Sequence, residues 1–389
     1  MDAERSVLLF LTPVLLAAPI AFVLKRAQHR VLWVALWINL GLIGLYGIVN
    51  LLCPPLDGLP FGGGTFVMWQ PGYAQYTCEH RASGPYYCPD HFAGLMEIAF
   101  GLALGALLAR EVKWPLRTAA GGLAFVSLVG VILSKSRGGG LTILIMLVVA
   151  VAIGFSQWPP KIRWYLRGAV GVILALMVVI FVMAADSYMI RFFQGSESSR
   201  YVNTTLSEKV ALVKEKIRVS SRGRMYAGAF RAWWSDRHAI VLGIGPGMHQ
   251  NLWPHFAASE DGNRELYTWP TLPNYDFHSY EVHNDWLQLA EEYGSVGLGL
   301  FLLWALGIVI LLNEAVLNDA RRRKQGGWRK LGRPGIHPLI LGTELALVAM
   351  AFHSLGDFNL QMPATVWMLG CIVALALAAA LRSARMTKT

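Results

Sequence analysis

The chain has 389 residues, of which 55% are hydrophobic and only 15% are charged. Soluble domains carry about 45–50% apolar and about 25% charged residues, so this composition excludes an ordinary soluble domain. The formal net charge of +10 is no sign of nucleic-acid binding, because 19 of the 34 basic residues lie in five short segments between apolar blocks.

Nine nearly uncharged blocks follow one another along the chain. Each approaches the length of about 20 residues that crosses the lipid hydrocarbon layer as a helix. Backbone polar groups find no water in lipid, so helices are expected and strands are not. We predict an all-α polytopic membrane protein, a bundle of about 9–12 transmembrane helices. The blocks are Val7–Leu24, Val31–Leu52, Phe92–Ala109, Thr118–Leu133, Leu141–Phe155, Gly168–Ala185, Val296–Leu312, Pro338–Phe352 and Ala364–Leu381.

The basic segments set the expected topology. They fall on one side of the membrane if each block crosses once, which is the positive-inside pattern. That side is then cytoplasmic, and the other connections are periplasmic. The basic segments are Lys25–Arg30, Arg110–Arg117, Lys161–Arg167, Arg321–Arg333 and Arg382–Lys388.

This topology divides the chain into three regions. Residues 1–185 form an N-terminal transmembrane bundle, with a small cysteine-containing periplasmic loop at residues 53–90. Residues 186–292 form a large helical periplasmic loop that is expected to carry the catalytic residues. Residues 293–389 form the C-terminal transmembrane helices.

The first periplasmic loop contains Cys78 and Cys88, ten residues apart. An oxidising compartment favours a disulfide between them. The alternative is zinc, because His80 and His91 stand near the two thiols and would complete four ligands. We favour the disulfide.

The next periplasmic connection, residues 134–140, reads Ser-Lys-Ser-Arg-Gly-Gly-Gly. It places Lys135 and Arg137 outside, against the topology rule. Arginine binds phosphate oxygens in a bidentate manner, and glycines let backbone N–H groups approach an anion. We predict a pyrophosphate-binding hairpin; the alternative is a tight turn whose cations reach lipid headgroups.

The large loop adds a predicted helix from about Ser220 to Trp234. Arg222 and Arg224 open it, where the helix dipole disfavours cations unless an anion joins them. A bound pyrophosphate would be that anion, and the alternative is a surface helix with interfacial tryptophans. Arg191, just outside its span, is a weaker phosphate ligand and more often a plain anchor.

His283 lies before the span that follows the large loop, with Asn284 or Asp285 as the helix N-cap. The helix dipole disfavours imidazolium there, and a neutral imidazole can act as a general base towards a hydroxyl. The alternative is a capping or interface histidine. His278 and Asn284 are predicted to support the site or the acceptor.

The last periplasmic connection contains His353 and Asp357 between two spans. These side chains are predicted to hold the acceptor or to steady His283, although helix capping would also explain Asp357. The chain has no Asp-x-Asp, no Walker motif and no nucleophile elbow, so we predict neither a metal nor another cofactor.

At these residues the chain resembles the O-antigen ligase superfamily, which includes O-antigen ligases, O-antigen polymerases and protein O-oligosaccharyltransferases. The matching motifs lie in order over roughly residues 118–380. They are Ser136-Arg137-Gly138, Gly223-Arg224 with Ala232-Trp233, Leu242-Gly-Ile-Gly, His283-Asn-Asp-Trp-Leu-Gln-Leu with Glu292-Tyr-Gly, and His353, Asp357 and Pro363.

The resemblance implies a metal-independent, GT-C-like glycosyltransferase of the inner membrane. It would move a preassembled glycan from undecaprenyl pyrophosphate to an acceptor, with His283 as the base and with Arg137 and Arg222 or Arg224 on the pyrophosphate. We favour lipid A–core as the acceptor. The alternatives are a second lipid-linked repeat, a protein Ser or Thr, or, in another class, a transporter or flippase.

Overall fold

The structure is a computed structural model, and it describes residues 2–52, 81–86, 88–109, 112–157, 205, 207–208, 211, 221–257, 280–325 and 337–385. The elements are α-helices and one short 3₁₀ helix, Asn359–Gln361, in these parts of the chain. The α-helices are α1 Asp2–Phe22, α2 Arg26–Leu52, α3 Pro89–Leu108, α4 Trp114–Ser134, α5 Arg137–Gln157, α6 Ser221–Trp233, α7 Arg237–Leu242, α8 His249–Ala257, α9 Asp285–Gln325, α10 Pro338–His353 and α11 Pro363–Arg385.

Long apolar helices confirm the predicted all-α membrane fold. Five of the described helices, α2, α3, α4, α9 and α11, are long and apolar enough to cross a membrane. Shorter apolar helical segments at Leu11–Phe22, Arg137–Val151 and Pro338–His353 match three more predicted blocks. The ninth block, Gly168–Ala185, lies outside the described residues.

Helix α3 is the centre of the bundle. In the most apolar part of α3, 83% of the residues are buried, whereas only 11% are buried in the corresponding part of α9. Helix α3 is so well buried because it packs against α4, α5 and α10. Small residues permit the closest approach, since a Cβ built on Gly105 would lie 2.4 Å from the backbone nitrogen of Gly342. Close backbone contact through small residues is the usual basis of helix association in lipid, where burial of apolar surface contributes little.

Two ends of the bundle differ in charge. Arg26, Arg30, His337 and Arg382 come together at one end, which we name the basic end. The described parts of the predicted cytoplasmic segments therefore share an end, as the positive-inside pattern requires. Ser134, His283 and Asp357 lie at the other, which we name the site end.

A bend in α9 places the start of this helix at the site end. Gly294 has φ 67° and ψ −174°, values that only glycine adopts readily, so Asp285–Tyr293 forms a short helix before the long span. A glycine-rich turn after α7 packs into the bend. The N–H groups of Ile244 and Gly245 donate to the carbonyl oxygens of Glu291 and Glu292 at 2.8 and 3.1 Å.

The Glu292 carboxylate completes this junction. It accepts hydrogen bonds from the N–H groups of Gly247 at 3.0 Å and His249 at 3.4 Å. The carbonyl groups in the last turn of a helix lack partners within that helix. Here the N–H groups of the glycine-rich turn are the partners of two such carbonyl groups. The glycine-rich turn after α7, residues 243–247, is therefore the joint between the large loop and the C-terminal spans.

We predict that Gly294→Ala destabilises this joint. A Cβ there would lie 2.3 Å from the Val241 carbonyl oxygen, and the backbone conformation would be strained as well. A loss of about 2–4 kcal/mol is expected, measured as a lower unfolding temperature in detergent.

Gly299→Ala is the matched control on the same helix. A Cβ at Gly299 meets nothing within 4 Å, and alanine is the better helix former by about 0.5–1 kcal/mol. Equal unfolding temperatures for the two variants would contradict the role of the bend.

Candidate active site

Three histidines converge on the carboxylate of Asp357, in the connection between α10 and α11. His283 Nδ1 lies 3.4 Å and His91 Nε2 lies 3.6 Å from Asp357 Oδ1. His353 Nε2 lies 3.7 Å from Asp357 Oδ2. These imidazoles come from three separate parts of the chain, so a single carboxylate joins the start of α3, the end of the large loop and the end of α10.

Asp357 is 1% exposed, yet its surroundings keep it ionised. Burial alone would raise the pKa of this carboxyl group, but the contacts of His283, His353 and His91 hold the pKa well below its usual value. A buried carboxylate is stable only when polar partners replace water. Asp357 is therefore a fixed negative charge beside His283 at neutral pH.

A second carboxylate supports His353 from inside the bundle. Glu97, fully buried in α3, accepts at 2.6 Å from His353 Nδ1. The other His353 nitrogen faces Asp357, so Glu97, His353, Asp357 and His283 form a chain of polar contacts from the bundle core to the surface. A charged residue inside a span is costly unless it is paired, and this chain supplies the pair.

His283 is held from its backbone as well as from its ring. Its φ of 57° is left-handed, which costs a non-glycine residue about 1–3 kcal/mol. The Tyr226 hydroxyl donates at 2.8 Å to the His283 carbonyl oxygen, and the Asn284 side chain caps α9 by accepting from the Leu287 N–H at 3.0 Å. Such strain is kept only where neighbouring contacts enforce it, as at many active sites.

The Phe358 ring separates two of the imidazoles. Its centroid lies 4.3 Å from that of His91 and 4.5 Å from that of His283, both in edge-to-face geometry. The His283 side chain keeps 27% of its surface exposed, whereas that of His91 keeps 3%. His283 is thus the histidine of this cluster that a substrate can reach most easily.

Asp285 links the start of α9 to the connection between α10 and α11. It is fully buried, and its Oδ2 accepts from the Ser354 hydroxyl at 2.6 Å and from the Leu360 N–H at 3.0 Å. In return, the Asp285 N–H donates to the Ser354 carbonyl oxygen at 3.0 Å. These bonds fix the position of His283 relative to Asp357.

The glycine-rich segment at residues 134–140 has a different structure from the predicted hairpin. Only Lys135 and Ser136 form the turn, and α5 begins at Arg137. The Ser136 hydroxyl caps this helix by accepting from the Gly139 N–H at 3.2 Å. Local capping by serine overrides the low helix propensity of three glycines.

The glycines have a packing role that the sequence did not reveal. A Cβ on Gly138 would lie 3.3 Å from His353 Nε2, and one on Gly139 would lie 3.1 Å from Glu97 Oε1. Their lack of side chains lets the start of α5 reach the polar cluster. Exposed Arg137, the residue before Gly138, is thereby placed at the site end.

The arginines of α6 lie on different sides of the helix. Tyr226 bonds to the His283 backbone, and the Arg222 charge acts on the Tyr226 hydroxyl, whose pKa burial raises. Arg222 and Tyr226 are one helical turn apart and share a face, whereas Arg224 projects roughly 160° away from Tyr226. The structure thus places Arg222, rather than Arg224, on the face of α6 that carries Tyr226.

Arg81 is a further cation at the site end that sequence reasoning missed. It donates at 2.7 Å to the Ser134 carbonyl oxygen and pairs with Asp90 at 2.8 Å. Tyr226 and Phe358 were missed too, and His91 was considered only as a zinc ligand. Glu97 carried a signal, because it is a carboxylate in an apolar block.

Some predicted site residues lie outside the described part of the chain, namely Arg191, His278 and Cys78. The disulfide between Cys78 and Cys88 therefore stays a prediction. Burial raises the pKa of the Cys88 thiol to about 12, with further contributions from the charges of Asp90 and Asp357. His91, needed for the zinc alternative, contacts Asp357 and Phe358 instead.

The described residues contain no group of three or more His, Cys, Asp or Glu side chains arranged to hold a metal ion. The three imidazoles lie at ion-pair distance from Asp357 and form an electrostatic cluster with it. Its chemical capacity is that of an oriented, partly exposed imidazole backed by a carboxylate, with arginines nearby.

Comparison with known proteins agrees with the motifs. No curated protein matches the chain. The family model described as O-antigen ligase matches residues 122–302, a range that includes the second part of α4, all of α5, the large loop and the first part of α9. His283, Arg137 and Arg222 lie within the match, and Asp357 lies beyond it. The predicted resemblance is confirmed: over residues 122–302 this multi-pass membrane protein is similar to the O-antigen ligase family.

Proposed function

We propose that the protein transfers a preassembled glycan from undecaprenyl pyrophosphate to a sugar hydroxyl of lipid A–core at the periplasmic face of the inner membrane. The match to the O-antigen ligase family model over residues 122–302 supports glycosyltransferase-like chemistry on lipid-linked glycans. The observation that carries the proposal is the pairing of partly exposed His283 with buried, ionised Asp357 at the end of the bundle opposite the basic end.

His283 is the proposed general base. Its Nδ1 faces Asp357, so the Nδ1 proton points to the carboxylate and Nε2 keeps a lone pair for the acceptor hydroxyl. As Nε2 takes the proton, the acceptor oxygen bonds to the anomeric carbon and the bond from that carbon to the pyrophosphate oxygen breaks. Asp357 stabilises the imidazolium that forms and acts as a positioning residue.

Arginines supply the electrostatic part of the mechanism. Undecaprenyl pyrophosphate leaves with its negative charge, and Arg137 and Arg222 are placed to neutralise that charge without a metal. A single displacement inverts the anomeric centre. Lys135 and Arg191 are weaker proposed ligands of the same group.

His283→Ala is expected to lower the rate of transfer by about 10²–10⁴-fold, the usual contribution of a general base. Purified protein in detergent is given lipid-linked glycan and lipid A–core, and the joined product is measured. Donor binding should be unchanged. Transfer under these conditions needs no sealed vesicle, so product formation also excludes the transporter alternative.

His238→Ala is the matched control, because His238 is exposed on α7 in the same loop region. It should transfer at the wild-type rate. A His283→Ala enzyme as active as this control would remove the base from the proposed mechanism.

Arg222→Gln is expected to lower the turnover rate by about 10²–10³-fold, the usual loss when one donor to a developing charge is removed. Arg224→Gln should have a much smaller effect, since Arg224 lies on the other side of α6. The two variants remove the same charge two residues apart. Equal losses in the transfer assay would contradict the assignment of Arg222.

A deletion strain identifies the acceptor, and surface lipopolysaccharide is the measurement. Deletion of a ligase leaves full-length polymer on the lipid carrier. We expect this result because the sequence predicts a modest loop with no further soluble domain. Single repeats on the core would instead mean a polymerase. Normal lipopolysaccharide with an unglycosylated protein substrate would mean an oligosaccharyltransferase.

A further inference from the structure

A cavity of about 190 Å³ opens at the basic end, far along the bundle from His283. The start of α2 forms one wall, and the start of α10 and the end of α11 contribute others. Arg26, Arg30, Trp33 and Trp37 repeat at helical spacing, so one face of α2 lines the cavity from its mouth to its floor. Arg382 of α11 completes the ring of cations.

The described lining of this cavity carries positive charge without a carboxylate. Among the described residues that line it, three are arginines and none is acidic. Arg26 lies close enough to Arg382 for their like charges to interact. Arg26 and Arg30 also stand in the first two turns of α2, where the helix dipole disfavours cations and favours an anion.

His29 holds Arg382 without neutralising it. Arg382 Nη1 lies 2.5 Å from His29 Nδ1, and a guanidinium group can only donate, so this nitrogen accepts. The other ring nitrogen, Nε2, lies 2.6 Å from the carbonyl oxygen of Ile20 and donates to it. His29 is therefore a neutral imidazole that orients Arg382 and leaves its full positive charge available.

The indole N–H of Trp37 is a second, independent sign of a missing ligand. Trp37 is 9% exposed and lines the cavity, and its Nε1 has no hydrogen-bond partner in the described structure. A buried donor left unsatisfied costs about 1–3 kcal/mol, so such donors normally have an acceptor. An anion among the arginines would supply one.

We propose that this cavity binds the phosphate group of an anionic phospholipid from the leaflet at the basic end. Pockets for drug-sized ligands measure about 300–1,000 Å³, so this smaller cavity suits a phosphate ester and excludes a glycan. Leu339 and Leu375 add apolar walls at the ends of two spans, where the glycerol and acyl chains of a bound lipid would lie. Basic pockets between spans on the cytoplasmic side are typical sites for anionic headgroups.

The test measures how added lipid raises the unfolding temperature of the purified full-length protein in detergent. A ligand that binds the folded state raises this temperature by an amount that grows with the ratio of its free concentration to its Kd. Short-chain phosphatidylglycerol is the probe, and short-chain phosphatidylcholine and inorganic phosphate are the comparisons. Phosphatidylglycerol should stabilise the protein at concentrations at least about tenfold lower than either, because it combines a net negative charge with apolar chains.

Two variants assign the effect to the cavity. Arg30→Gln should weaken the apparent affinity for phosphatidylglycerol by about tenfold or more, and Trp37→Phe, which keeps every charge, by about threefold. Lys113→Gln is the matched control, since Lys113 is an exposed cation at the N-cap of α4 and does not line the cavity. It should bind like the wild type.

Several results would overturn the proposal. Equal losses in Arg30→Gln and Lys113→Gln would mean unspecific attraction to a basic surface. Inorganic phosphate as potent as phosphatidylglycerol would mean a free anion in place of a lipid. Wild-type affinity in Trp37→Phe would mean that the anion does not reach the indole. None of these measurements depends on the transfer reaction, so the lipid site and the proposed function are tested separately.

Discussion

The contact of three imidazoles with the Asp357 carboxylate organises the site end of this protein. Asp357 is buried, and its negative charge is tolerated because His91, His283 and His353 surround it. Each histidine belongs to a different part of the chain, so the charge can be satisfied only when the N-terminal spans, the large loop and the C-terminal spans are assembled. Folding and the formation of the site are therefore one event in this region.

The glycines of the site end serve close contact more than flexibility. Gly138 and Gly139 bring the start of α5 against His353 and Glu97, and Gly294 lets the glycine-rich turn after α7 enter the bend of α9. In each case a side chain would occupy space already filled by a backbone or a polar group. The motifs that mark the family in sequence thus have a direct physical reason in the packing around the polar cluster.

The two ends of the bundle differ in how their charged groups are arranged. At the site end, the buried carboxylates of Asp357 and Glu97 face histidines, and Arg137 and Arg222 are exposed. At the basic end, arginines converge with a neutral histidine and an unsatisfied indole, and positive charge is in excess. The two ends therefore suit the two separate proposals, transfer chemistry at His283 on one side and a lipid phosphate among the arginines on the other.

The sequence by itself determined the helices, most of the spans and the sharing of one end by the basic segments, because these follow from local composition and from the cost of unpaired backbone groups in lipid. It also pointed to His283, with Asn284 or Asp285 as the cap, and the structure makes Asn284 the cap. Only the tertiary structure decided which distant residues meet His283. His91, Glu97 and Tyr226 lie far from it in sequence, and whether Arg222 or Arg224 faces it depends on how α6 is rotated against α9. Such placements arise from the packing of whole helices, which no local pattern encodes.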